Sequence, residues 1–270
     1  MKFAICNEIF KDWKLEDTFA YAAQAGYQAV EIAPFTMAGR VTEISRSDRK
    51  AVRDQAAKHG ITLSGIHWVL AQTEGFHITH PDVTVRANTS KYLCELVDFC
   101  ADLGGRFMIL GSPKQRNLAD GVKFEDALEW TRGVLKMPLM RALIRDVTIC
   151  FEPLAPAETN FINTAEQAIA LARSTQMQQC KVILDVKAMC SESKPIPQII
   201  RESWPHFAYF HANDRNLKGP GFGDVDFTPI AAALKEVGYK GFVSVEVFNF
   251  DEGPEVIATK SIEYLKRVFG

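Results

Sequence analysis

The sequence has little of what marks secreted, membrane-bound or polyanion-binding proteins. Its six cysteines include no C-x-x-C pair, so reduced, buried thiols are expected. No apolar run approaches the roughly 18 residues of a membrane span, and Glu8, Lys11 and Asp12 interrupt the start of the chain where a secretory signal would be apolar. Thirty-one Lys and Arg against 33 Asp and Glu give a net charge of -2, which does not favour nucleic acid. We expect a cytoplasmic protein with neither nucleic-acid nor membrane partners.

The composition is that of a globular protein with a large core. Of the 270 residues, 47% are hydrophobic and 24% are charged, which is ordinary usage for a folded domain. No linker-like stretch divides the chain, and one (β/α) barrel fills about this length. A single domain over residues 1–270 is therefore expected.

Short apolar runs alternate with longer segments of helical period along the whole chain, a pattern typical of βα units. The predicted strands are Lys2–Ile9, Ala29–Ala33, Thr62–Val69, Phe107–Leu110, Thr148–Leu154, Lys181–Val186, Phe207–Ala212 and Phe242–Phe248. The predicted helices are Leu15–Ala25, Arg46–His59, Val83–Leu103, Phe124–Ile144, Ala165–Ser174, Pro229–Val237 and Glu255–Val268, with a short helix at Pro197–Ser203.

Glycine and proline mark the ends of these segments. Gly26, Gly60, Gly104 and Gly238 each follow a helix and precede a strand, which predicts left-handed caps. Thr228 and Pro229 suit the N-cap and first position of a late helix. Eight parallel strands bury both sheet faces by closing, so the pattern predicts a (β/α)8 barrel. A doubly wound sheet is the alternative, but the turn after the first strand, from Asn7 to Phe10, contains no glycine.

Four consecutive predicted strands carry one ligand-type side chain each near their ends. These are Glu152, Asp185, His211 and Glu246. Active sites of such barrels lie at the C-terminal ends of the strands, and carboxylates buried together repel one another unless a cation neutralises them. Three carboxylates and one imidazole favour Mn2+ or Mg2+, with Co2+ and Zn2+ as alternatives.

The sequence resembles the xylose isomerase-like barrels, in particular the sugar phosphate isomerase/epimerase and ketose 3-epimerase group. The resemblance spans nearly the whole chain and is carried by five motifs. They are Glu152-Pro153-Leu154 with Glu158 and Asn163-Thr164, Leu184-Asp185, His211-Ala212-Asn213-Asp214-Arg215-Asn216, the loop from Gly219 to Phe227, and Ser244-Val245-Glu246.

The resemblance implies one divalent metal held by Glu152, Asp185, His211 and Glu246, with Glu152 and Glu246 as the acid and base pair. The expected reaction is epimerisation or isomerisation of a sugar, keto sugar or sugar phosphate through a metal-stabilised enediolate. The family also implies a homodimer or homotetramer. An inosose dehydratase-like lyase would use the same site, and a sugar-binding barrel without turnover is a weaker alternative. A zinc endonuclease of this superfamily would need more ligands and a basic groove.

One position departs from the family pattern. Many 3-epimerases have a histidine three residues after the aspartate of the sixth strand, where this chain has Ala188. His67 is a candidate replacement for that substrate-orienting group. The other candidate substrate contacts are Glu158, Trp68, Arg215 and Lys114, and Lys114 lies beside Arg116 in a loop where both are candidates for anion recognition.

Overall fold

Eight parallel strands close into one barrel in the computed structural model, which describes residues 1–270. Neighbours in sequence pair around the barrel in order, and β8 closes it against β1. The predicted (β/α)8 architecture is confirmed. The strands are β1 (Lys2–Cys6), β2 (Ala29–Ile32), β3 (Thr62–Ile66), β4 (Phe107–Leu110), β5 (Thr148–Phe151), β6 (Cys180–Asp185), β7 (Phe207–Ala212) and β8 (Phe242–Val245).

Nine α-helices connect the strands and cover the barrel. They are α1 (Leu15–Ala25), α2 (Arg46–Lys58), α3 (Val83–Asp102), α4 (Phe124–Arg145), α5 (Ala165–Ser174), α6 (Val186–Met189), α7 (Ile196–Ser203), α8 (Phe227–Glu236) and α9 (Pro254–Phe269). No helix has both the length and the apolar character needed to cross a membrane.

The interior of the barrel is filled with apolar side chains in its lower part and carries polar side chains at its mouth. Ile109, Cys150, Ile183 and Tyr209 form a small apolar cluster separate from the main core. The Tyr209 hydroxyl donates a 2.8 Å hydrogen bond to Oγ of Ser64, so the buried phenol is satisfied. The next inward-facing residue on β7 after Tyr209 is His211, because side chains alternate along a strand. The apolar cluster thus forms a floor beneath the ligand-type residues.

The four predicted glycine caps are confirmed. Gly26, Gly60, Gly104 and Gly238 all have positive φ, between 70° and 101°, where a residue without Cβ has no steric penalty. All six cysteines are free, as expected, but only four are buried, since Cys94 and Cys190 are partly exposed.

The predicted start of α8 is wrong. Asp226, not Thr228, is the N-cap, and its side chain accepts a hydrogen bond from the backbone N–H of Thr228. A carboxylate is as good an N-cap as a hydroxyl. Pro229 still lies in the first turn of α8. Backbone N–H groups in the first turn have no carbonyl partner within the helix, so a proline there costs no hydrogen bond.

Several strands end earlier than predicted, always at the mouth of the barrel. β1 stops at Cys6 because Asn7–Phe10 turn into a 3-10 helix. There the Asn7 side chain accepts a 2.7 Å hydrogen bond from the backbone N–H of Ala33, which replaces a ladder bond. β5 stops at Phe151, two residues before Pro153, which has no N–H to donate. The shorter strands free these mouth segments to place functional side chains.

Candidate active site

The four predicted ligand-type residues meet at the C-terminal mouth of the barrel. Asp185 ends β6, His211 lies within β7, and Glu152 and Glu246 each follow the last residue of their strand. One potential ligand atom from each of the four lies within 4.8 Å of the others. All four side chains are buried, with residue exposures of 5% or less. Three carboxylates at this depth would be strongly unfavourable without a cation or protons to neutralise them.

The hydrogen bonding of the four residues leaves atoms free for a metal ion. Nδ1 of His211 and Oε2 of Glu246 lie 3.0 Å apart, yet neither atom has a hydrogen-bond partner. Asp185 accepts hydrogen bonds from the Ala188 backbone (2.7 Å) and from the Asn213 side chain (2.5 Å), which fix its orientation. Oxygen-rich ligands with one imidazole suit a hard divalent cation. The donor set therefore fits the metal that the resemblance implies.

The cluster separates the pKa values of its two glutamates. Burial, with Glu246 and Asp185 nearby, raises the pKa of Glu152 to about 8. Burial opposes ionisation of Glu246 as well, but the adjacent His211 outweighs it and holds the pKa of Glu246 well below the ordinary value. Two nearby carboxyl groups with opposite shifts suit an acid and a base.

His211 is held from behind by a carboxylate that the sequence analysis did not identify. Glu31 of β2 is fully buried, and its Oε2 lies 3.1 Å from Nε2 of His211. A proton on Nε2 donated to Glu31 leaves the lone pair of Nδ1 facing the cluster, the arrangement common for metal-bound histidines. A charged residue in the apolar strand Ala-Val-Glu-Ile was the signal for this role.

His67 lies beneath the mouth of the barrel. Its Nε2 is 2.8 Å from Oε2 of Glu8, and its Nδ1 is 3.7 Å from Oε1 of Glu31. Burial alone would lower the pKa of His67, but the surrounding acidic groups raise it well above the ordinary value. The residue is fully buried, so this arrangement places it as a partner of two carboxylates and leaves the predicted substrate contact a prediction.

Trp68 closes one side of the site. Its indole N–H donates a 2.7 Å hydrogen bond to Oε1 of Glu246. The ring lies between Phe35 and Phe248, with centroid distances of 5.8 Å to each. This aromatic row makes the wall apolar except at the N–H that holds Glu246.

A lysine lies against the Phe248 end of this wall. Lys187, two residues after Asp185, places its Nζ 2.7 Å from Oε1 of Glu158 and 3.8 Å from the ring centroid of Phe248. Burial would lower the pKa of Lys187, but Asp185 and Glu158 raise it. This chain has Ala188 where many 3-epimerases have a histidine. The residue before it, Lys187, places a buried cation at the site.

A cavity of about 300 Å3, which we call the catalytic cavity, is lined by two of the four ligand-type residues, Glu152 and Glu246. Its lining also includes three of the predicted substrate contacts, Trp68, Lys114 and Glu158. Arg215 instead lines a separate pocket with Cys190 and Asp226. Proximity to His211 in sequence did not bring Arg215 to the same cavity, because the chain leaves the barrel after β7.

Arg116 is a buried cation directly beneath Glu152. Its residue exposure is 0%, and Nη1 donates a 2.6 Å hydrogen bond to the backbone carbonyl of Glu152. The guanidinium lies 5.0 Å from the ring centroid of Phe151. Arg116 thus fixes the backbone that carries Glu152, and does not line the catalytic cavity as an anion-binding group.

Gly111 leaves the space that the Glu152 carboxylate occupies. A Cβ at Gly111 would lie 2.1 Å from Oε2 of Glu152. We expect Gly111→Ala to displace this carboxylate and to lower turnover at least tenfold, since misplacement by about 1 Å costs up to 100-fold. Circular dichroism and assayed turnover would check this. The matched control is Gly133→Ala in α4, where a Cβ meets nothing within 4 Å; if both variants keep full turnover, Glu152 has no such positional requirement.

Comparison with known proteins places the barrel in a family. Residues 19–268 match the family model described as xylose isomerase-like TIM barrel. The chain belongs to this family. The match covers most of the chain, from α1 to the last turn of α9.

Named relatives lie within the ketose 3-epimerases. A D-psicose 3-epimerase of Agrobacterium fabrum is 24% identical over 228 residues, covering 84% of this chain and 76% of the relative. A D-psicose 3-epimerase of Ruminiclostridium cellulolyticum is 27% identical over 236 residues, covering 84% of this chain and 75% of the relative. Among solved structures, D-psicose 3-epimerase with D-tagatose from Clostridium cellulolyticum H10 superposes with a TM-score of 0.88 over 100% of this chain and 99% of that one, at 19% identity. This likeness shows the shared fold.

Proposed function

We propose that this protein is a divalent-metal-dependent epimerase or isomerase of a keto sugar. The observation that carries the proposal is the convergence of ligand atoms from Glu152, Asp185, His211 and Glu246 within 4.8 Å of one another. Two of the four residues, Glu152 and Glu246, line the catalytic cavity. The relatives named above act on ketoses, and this supports a sugar as the substrate. A sugar phosphate remains an alternative substrate, with Lys114 as the exposed cation at the cavity.

The residues that would hold the metal are Glu152, Asp185, His211 and Glu246. Mn2+ or Mg2+ suits this donor set best. When bound, the ion supplies positive charge beside the substrate oxygens and so stabilises the negative charge that develops when a proton next to a carbonyl is removed.

Glu152 and Glu246 would move the proton. A proton on carbon next to a sugar carbonyl needs a base within reach and an acid to return it. Glu246 is kept ionised by His211 and is oriented by the Trp68 N–H; Glu152 holds its proton more readily. Return of the proton to the same carbon on the opposite face gives epimerisation, and return to the neighbouring carbon gives isomerisation. Phe248 and Trp68 exclude water from this reaction.

Solvent proton exchange tests the proposal whichever product is formed. D-psicose and D-fructose are incubated in D2O with Mn2+ and the protein, and deuterium is read by NMR. We expect deuterium on the carbon next to the carbonyl and a product of conserved mass apart from that exchange. A product lighter by one water favours the dehydratase-like alternative. Ligand-induced thermal stabilisation without any exchange would contradict an enzyme and favour a sugar-binding barrel.

A further inference from the structure

A second cavity adjoins the catalytic cavity at the mouth of the barrel. We propose that it binds an O-linked ring, so that the substrate is a keto sugar carrying a second sugar or an aglycone. This inference rests on the proposed function, whose reaction takes place in the catalytic cavity. We call the second cavity the aromatic lobe. It is lined by Glu8, Trp13, Phe35, Trp68, Gln72 and Phe250, among others.

The position and size of the aromatic lobe suit one further ring. Trp68 and Gln72 line both cavities, so the two are neighbours across these side chains. The aromatic lobe has a volume of about 550 Å3 against about 300 Å3 for the catalytic cavity. Small-molecule sites span roughly 300 to 1,000 Å3. The catalytic cavity alone suits one monosaccharide, and the lobe adds space that a free ketose would leave empty.

The lining of the aromatic lobe suits the flat face of a ring. Trp13 packs against Phe10 with ring centroids 5.4 Å apart, and Phe35 packs against Trp68 at 5.8 Å. Trp13, Phe35 and Trp68 are only partly buried, and Phe250 is 41% exposed. Large aromatic surfaces left accessible at a cavity are typical of binding sites. The C–H faces of a pyranose or the face of an aromatic aglycone would cover them.

Glu8 supplies a polar group at the aromatic lobe. The residue is 8% exposed, and its Oε2 is engaged by His67 at 2.8 Å. Its Oε1 is buried and has no hydrogen-bond partner. A buried acceptor without a partner is costly, and a ring hydroxyl in the aromatic lobe would satisfy it. This second observation is independent of the aromatic lining.

The backbone around the aromatic lobe is held in an unusual conformation. Asp12, Trp68 and Gln72 all line the lobe, and all have positive φ, of 66°, 51° and 57°. Non-glycine residues rarely adopt this region, and such conformations collect at ligand-binding and active sites. Three in one cavity indicate that its shape is determined by the fold and does not arise from loose packing.

The experiment compares substrates that differ only in the O-linked group. Deuterium exchange in D2O with Mn2+ is followed for D-psicose and for the methyl, phenyl and glucosyl 3-keto-D-glucosides. We expect KM for the phenyl or glucosyl compound to be about tenfold below that of the methyl compound. Trp13→Ala and Phe250→Ala are expected to remove this advantage, a change of about tenfold that corresponds to about 1.4 kcal/mol. Neither substitution should change kcat or the KM of the methyl compound. Trp130→Ala, at a half-buried tryptophan of α4 outside the lobe, is the matched control and should change nothing.

Each outcome decides the inference. A lower KM for the phenyl compound alone assigns the aromatic lobe to an aglycone, and a lower KM for the glucosyl compound assigns it to a second sugar. Equal KM values for the three glycosides overturn the inference, as does exchange with D-psicose but with no glycoside; both results leave the proposed function standing. Loss of the methyl compound's turnover in Trp13→Ala and Phe250→Ala would reassign these rings to the catalytic cavity and overturn the inference too. Absence of exchange with all four compounds contradicts the proposed function, and the inference fails with it.

Discussion

Replacing either Glu152 or Glu246 by Gln is expected to lower turnover by about 10²- to 10⁴-fold, the usual contribution of acid and base catalysis. The amide has nearly the same shape as the carboxyl group but neither accepts nor releases the proton. The measurement is the rate of deuterium exchange with a turned-over keto sugar at saturating Mn2+. Saturation matters, because both residues also belong to the ligand set and a weakened metal site would otherwise cause the loss.

Folding of the Glu152→Gln variant is expected to be preserved or improved when no cation is added. Glu152 lies close to Glu246 and Asp185, and this repulsion together with burial raises its pKa. Gln at position 152 removes the repulsion, so the melting temperature of the cation-free variant should not fall below that of the parent. Glu129→Gln is the control, because Glu129 is on the surface of α4 with a side-chain exposure of 68%. If Glu152→Gln or Glu246→Gln keeps most turnover at saturating Mn2+, that residue is not an acid or base.

The ligand-type residues were predictable because each stands alone in an apolar strand. A carboxylate or imidazole among β-branched and aromatic residues is conspicuous at Asp185 and His211, and parallel strands bring their C-terminal ends together. The same rule applies to Glu31, which has an equally apolar context in β2. Glu31 was missed because it lies outside the run of four consecutive strands, although the barrel closes and brings β2 and β7 to the same interior.

The contacts that orient the site were not predictable in the same way. Arg116 reaches the Glu152 carbonyl from 36 positions away, and Trp68 reaches Glu246 from 178 positions away. Such pairs depend on rotamers and on loops that leave the barrel at its mouth. Arg215 illustrates the reverse case. It follows His211 by four residues, yet lies at another pocket.

Strand boundaries were the least predictable part of the fold for a physical reason. Hydrophobicity continues past the end of β1 and β8, so Ile9 and Val247 read as strand although both lie beyond the ladder. They are buried in the mouth loops. Residues at the C-terminal end of the barrel can therefore be buried without pairing in the sheet, because loops cover the interior around the active site there.

Removing divalent cations is expected to abolish turnover and to lower the melting temperature. The four ligand-type residues are buried together, and His211 Nδ1 and Glu246 Oε2 have no hydrogen-bond partner, so an ion that neutralises them binds the folded chain and not the unfolded one. A ligand at 100 times its Kd stabilises by about 2.7 kcal/mol. For a domain of this size that is a shift of about 5 to 10 °C. Differential scanning calorimetry with EDTA and then with excess Mn2+ or Mg2+ measures it.

The Asp185→Asn variant separates binding at the site from adsorption elsewhere. Its amide keeps the shape and removes one ligand charge, so added Mn2+ should raise its melting temperature much less than that of the parent. Glu129→Gln should respond as the parent does. Equal shifts in all three proteins would place the bound ion away from Asp185, and full turnover of the parent in EDTA would show that proton transfer here needs no metal. Since the carboxylates would then have to be neutralised by protons alone, the acid and base roles of Glu152 and Glu246 would need to be reassigned together with the metal.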